Sequence, residues 1–99
     1  MKAKLIQCNG KEKFVTINSF DDARKVVCEY GYDSPLEIIT MPNGNLLLLD
    51  EEGKLKNLPF NELATEMAHE QEVIYPSDVI VGDVILIEDA NEFDDLPYE

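Results

Sequence analysis

A chain of 99 residues is long enough for one modest core and too short for a cleft between two domains. Its 44% apolar content excludes wholesale disorder, and its net charge of −13 argues against nucleic acid and anionic membranes as direct partners. No apolar run approaches the roughly 18 residues that span a bilayer, and the Lys-rich start lacks the apolar stretch of a secretory signal; a cytoplasmic location is expected.

The charge is unevenly placed. Residues 1–30 hold six bases (Lys2, Lys4, Lys11, Lys13, Arg24, Lys25) against four acids, whereas residues 31–99 hold Lys54 and Lys56 against 17 acids. Such a field suits a basic partner or plain solubility. Cys8 and Cys28 show neither CxxC spacing nor a partner His cluster, and read as reduced, semi-buried thiols.

In chain order, residues 3–8 and 13–17 read as strands around an Asn9-Gly10 turn. Ser19 is a good N-cap, and acids fill the first turn that follows. Phe20, Ala23, Val27 and Tyr30 recur at helical spacing, and Gly31 stands where a C-terminal cap belongs, which predicts a helix near 19–30. Residues 36–41 and 45–49 pair across Pro42-Asn43-Gly44-Asn45. Leu46, Leu47, Leu48 and Leu49 do not alternate with polar residues, so that strand is expected to be central and covered on both faces.

Asp50-Glu51-Glu52-Gly53 makes a second acidic turn, with a short strand expected over 54–56. Pro59 and Asn61 open a helix near 61–70 that buries Leu63, Ala64, Met67 and Ala68. A turn at Gly82-Asp83 leads to a last strand over 83–88. Residues 91–99 read as a poorly ordered acidic tail behind a single domain over 1–90. The expected fold is a small α+β domain in ββαββαβ order, about five mainly antiparallel strands with two helices.

The string DEEGKLKNLPFNELAT, followed by VGDVILI, resembles a small family of unknown function encoded largely by bacteriophages, plasmids and other mobile elements. The matching positions are Asp50, Glu51, Glu52, Gly53, Lys54, Leu55, Lys56, Leu58, Pro59, Asn61, Ala64, Thr65, Gly82, Asp83 and Val84. The resemblance covers residues 36–87. It implies a mobile-element origin and carries no activity with it.

Candidate chemistry is sparse. Glu66 and His69 match the E-x-x-H pair of helix-bundle metal sites, but this is the only His, and a surface His beside Glu66 and Glu70 is the plainer reading. The Asp50–Gly53 turn lacks the alternating oxygen ligands of a calcium loop. No Ser-His-Asp or Cys-His arrangement can be assembled, so neither catalysis nor a cofactor or metal is expected. Asp83 reads as a turn residue bonded to nearby amides, Asn61 as an N-cap, and Gly53, Pro59 and Gly82 as structural.

One feature points outward. Glu62, Glu66 and Glu70 stand at i, i+4 and i+8 with no interleaved base, each like-charge pair costing roughly 0.2–0.5 kcal/mol. With Glu72, Asp50, Glu51 and Glu52 they make a candidate interaction surface. Two functions are then expected to compete. One is an acidic accessory protein that binds a basic host or mobile-element protein, as an inhibitor or nucleic-acid mimic. The other is a non-catalytic structural or ligand-binding module, homo-oligomeric through apolar surface around the hairpin and Tyr30, Tyr32 and Tyr75.

Overall fold

The computed structural model describes residues 2–28 and 34–88. The elements are β1 (Lys2–Ile6), β2 (Glu12–Thr16), α1 (Phe20–Val27), β3 (Leu36–Thr40), β4 (Leu46–Asp50), α2 (Glu62–Glu70) and β5 (Val84–Ile87). The strands form one sheet in the order β2-β1-β5-β4-β3, and every neighbouring pair is antiparallel. The α+β class and the ββαββαβ order are those read from the sequence.

Both hairpins use the same turn chemistry. In the β1–β2 turn, Asn9 Oδ1 accepts from Lys11 N at 2.9 Å, and in the β3–β4 turn, Asn43 Oδ1 accepts from Asn45 N at 3.0 Å. The residue after each Asn is a glycine at positive φ, Gly10 at 88° and Gly44 at 91°, where a side chain would be strained. The two hairpins lie at opposite ends of the sheet, and β5 enters between them to pair with β1 and β4.

Position in the sheet explains the run of leucines. Every residue of β4 and β5 is buried. Leu46, Leu48, Ile85 and Ile87 pack with Ala3, Leu5, Ala23 and Val27 beneath α1. Leu47, Leu49, Val84 and Leu86 pack with Ile6, Ala64 and Ala68 beneath α2. The helices therefore cover opposite faces, and the two central strands have no solvent side on which to place polar residues.

Helix α1 begins where Ser19 Oγ caps it by accepting from Asp22 N at 3.1 Å, and Asp22 Oδ2 reaches back to accept from Asn18 N, one residue before the cap, at 2.8 Å. It ends at Val27, with Cys28 as C-cap donating its N–H to Arg24 O at 2.8 Å. The expected continuation through Tyr30 to Gly31, and Tyr32 beyond it, lie outside the described residues, as does the expected acidic tail over 91–99.

The strand expected over 54–56 is absent. After β4 the chain coils through consecutive turns in which Gly53, Lys56, Asn57 and Leu58 donate to Asp50, Glu52, Lys54 and Gly53. Asn57 takes φ 56°, a left-handed conformation that Asn tolerates. These short-range bonds satisfy the backbone locally, so Leu55 is left 83% exposed instead of joining a sheet face.

The uneven charge of the sequence becomes a difference between faces. The bases Lys2, Lys4, Lys11, Lys13, Arg24 and Lys25 lie on the β1–β2 hairpin and α1, and Glu62, Glu66 and Glu70 on α2; the separation by face is partial, because Lys2 and Lys4 share the α2 side of β1 with Ile6.

Candidate functional site

The outer face of α2 is fixed from its first residue. Asn61 is fully buried; its Oδ1 caps the helix by accepting from Ala64 N at 3.1 Å, and its Nδ2 donates to Ile6 O at 3.0 Å and to Gly82 O at 2.9 Å. Its own N–H donates to Ile80 O at 2.9 Å. It is the expected N-cap, and it also ties the helix to the end of β1 and the approach to β5. One turn on, Thr65 Oγ1 accepts from Ile80 N at 2.8 Å. These bonds turn Thr65, Ala64 and Ala68 inward and leave Glu62, Glu66 and Glu70 in solvent. None of the ion pairs among the described residues involves those three carboxylates or Glu72.

His69 does not belong to that row. It is half-buried, and its Nε2 lies 2.9 Å from the Asp78 carbonyl, strapping the segment after α2 to the helix. The surface position beside Glu66 and Glu70 expected for it is therefore corrected. Among the described residues no three His, Cys, Asp or Glu side chains are grouped so as to hold a metal ion.

The end of α2 contains the least expected backbone feature. Glu72 N donates to His69 O and Val73 N to Ala68 O, both at 3.0 Å, which is the paired bonding of a Schellman cap. The residue at the left-handed position is Glu72, at φ 57°, where glycine is the usual occupant. A carboxylate here is unfavourable twice over, through its backbone and through the negative end of the helix dipole. No Gly or Asn marks this cap in the sequence, so periodicity alone cannot locate it.

Beside Glu72 opens a groove of ≈ 920 Å³, lined by Glu37 and Ile39 of β3, His69 of α2, and residues 72–76 and Asp78. Tyr75 on its rim is 80% exposed. The Glu37 carboxyl is held above the usual range, first by partial burial and then by the Glu51 and Asp78 carboxylates, against the pull of Lys54. Asp78 is shifted the other way, chiefly by the hydrogen bond from Lys54 and then by Val79 N–H. Lys54 thus neutralises one wall, and Glu37 and Glu72 have no ion-pair partner among the described residues.

Of the acidic turn after β4, Asp50 does not join the expected surface. Asp50 is 3% exposed and its Oδ2 accepts from Lys56 Nζ at 2.6 Å, while its Oδ1 accepts from Glu52 N at 2.9 Å. Lys56 Nζ also reaches Ser34 Oγ at 2.5 Å, and Ser34 donates to Glu52 Oε1 at 3.1 Å. A carboxylate at the end of a doubly covered strand needs a cation beside it; Asp50 raises the Lys56 pKa through that bond. Of the three acids only Glu51 faces solvent freely. The sequence marks Lys56 only as a motif position and Ser34 not at all, since nothing local links them to Asp50.

The motif residues Gly53, Pro59, Asn61, Gly82 and Asp83 meet at one joint. Pro59 O accepts from Gly82 N at 2.7 Å and from Cys8 Sγ at 3.4 Å. An added Cβ on Gly53 would meet Val81 Cγ2 at 3.0 Å, so the chain closes tightly there. Asp83 Oδ1 accepts from Cys8 N at 3.0 Å, a bond across 75 residues instead of the local one expected. These bonds tie β1, α2 and the approach to β5 together.

Both thiols are free. Burial and then the Asp83 hydrogen bond push the Cys8 thiol from 9.0 to about 11; burial and then the Asp50 charge raise Cys28. The shift is upward, so the stability it carries is full below pH 9.0 and disappears as the pH rises through about 11. At pH 8 iodoacetamide should alkylate Cys8 about a hundredfold more slowly in the folded chain than in urea, in line with the thiolate fraction. Equal rates would show that Cys8 is not held in its protonated form.

A family model described as a domain of unknown function, DUF3846, matches residues 1–99, and the chain belongs to that family. The match runs the whole length, beyond the residues 36–87 on which the sequence resemblance rests. No curated protein and no solved structure matches the chain. No helix among the described residues is long and apolar enough to cross a membrane.

Proposed function

We propose that this member of a family of unknown function is an acidic accessory protein of a phage or plasmid, acting by binding a basic host or mobile-element protein. The exposed α2 carboxylates serve as a nucleic-acid-like array towards that partner, and no catalytic step is assigned. The observation that supports this reading is the row Glu62, Glu66 and Glu70, exposed on one face and without a cation among the described residues. A merely soluble helix gains by interleaving lysines at that spacing, and this one forgoes the gain. The mobile-element origin is supported by the family motif at residues 50–65 and 82–84.

The second reading, a ligand-binding or self-associating module, draws on the groove beside β3 and the exposed Tyr75. A salt series separates the two. The tagged chain should capture a basic protein from host lysate at low ionic strength and release most of it at about 0.5 M salt, where the Debye length falls below about 5 Å. Capture that ignores salt, or a chain that captures only itself, would contradict the acidic-surface reading.

A further inference from the structure

We infer that the groove beside β3 takes an extended, cationic segment of the partner protein, which adds to the sheet as a strand along β3. This rests on the proposed binding of a basic partner and places part of that contact on the sheet edge. β3 ends the sheet, with β4 as its single neighbour among the described residues. An edge strand offers unpaired N–H and C=O groups, and proteins usually blunt it with lysine, proline or a bulge. The opposite edge, β2, carries Lys13. β3 reads LEIIT, has no lysine or proline, and keeps a regular register with β4 over all five of its residues.

The flank of that open edge is the groove. Glu37 and Ile39, two residues apart on one side of β3, both line it; successive same-side residues of an added strand repeat at about 6.6 Å and meet such walls in turn. Charge decides the occupant. Glu37 and Glu72 line the groove without an ion-pair partner among the described residues, Asp78 lines it paired with Lys54, and no Lys or Arg lines it. A second copy of this chain paired edge to edge over the whole of β3 would set Glu37 against Ile39 and bring the Glu37 of both copies to one face of the seam without a cation from the strand, whereas lysines at alternate positions of a partner meet carboxylates. Glu72 adds an independent argument: its φ of 57° would cost a glycine nothing, yet the position holds a carboxylate on the groove wall.

The test uses the full chain and an octapeptide of alternating Lys and Val, together with two versions N-methylated on one or the other set of alternate amides. Strand addition predicts amide shifts at residues 36–40 and 72–78, and affinity at least about tenfold weaker for one N-methylated version. Glu72→Gly should raise Tm while weakening the unmodified peptide about tenfold, a gain in stability at the expense of binding. Equal affinity for all three peptides, with shifts confined to α2, overturns strand addition and leaves the acidic-face reading standing. Absence of peptide binding at low salt, or dimerisation of the free chain through residues 36–40, overturns the inference as well. Whether the chain captures a basic partner from lysate is decided separately.

Discussion

Replacing Asn61 with alanine should destabilise the fold by about 3–5 kcal/mol, the combined effect of a lost cap and of buried groups left without partners. The side chain accepts from Ala64 N and donates to the carbonyls of Ile6 and Gly82, and the residue is fully buried, so water cannot replace it. Against a typical stability of 5–15 kcal/mol, such a loss brings the domain close to unfolding. Urea titration should show a fall in midpoint with an unchanged slope. Asn61→Asp separates the roles: it keeps the cap acceptor but turns a carboxylate on two carbonyl oxygens, so it should be at least as damaging. A loss below about 1 kcal/mol for Asn61→Ala would show that helix capping is all the residue does.

Leu48→Ala should cost about 3–5 kcal/mol, at the level of a large-to-small change in a packed core. Leu48 is fully buried between Ile38 and Ile85 in the sheet and faces the α1 layer, where neighbours on both helix and sheet resist collapse into the void. Leu55→Ala is the matched control: the same chemistry at 83% exposure should change stability by less than about 0.5 kcal/mol. Thermal melts of the two variants report the difference. Similar losses would mean that the turn after β4 packs against the domain.

These two leucines show what sequence can and cannot resolve. The doubly covered strand was legible because four adjacent leucines admit no solvent face, and both hairpins were legible because Asn-Gly chemistry is local. Ser19 and Asn61 announced their helices for the same reason. The strand expected at 54–56 failed because Lys-Leu-Lys alternates as a strand does, while the bonds that coil it depend on backbone geometry around Gly53 and Asn57.

The candidate site was half legible. The Glu62, Glu66 and Glu70 row follows from helical spacing and is exposed as expected. Asp50 looked like its neighbour Glu51, and only the fold brings Lys56 and Ser34 to it. Asp83 finds its partner 75 residues away, and the groove joins β3 to the segment after α2, so neither leaves a local signal. In the sequence Glu72 is one more acid; its backbone conformation is what distinguishes it.

The most direct measurement of the central claim compares Tm and partner capture for the wild-type chain and Glu66→Lys. The substitution turns two repulsive i,i+4 pairs into attractive ones, and should raise stability by about 0.5–1 kcal/mol before solvent screening reduces it. An acidic face that binds a basic partner predicts a variant at least as stable as wild type that no longer captures that partner at low salt. Capture unchanged in Glu66→Lys, and again in the double variant with Glu70→Lys, would contradict the claim that this face of α2 is the binding surface.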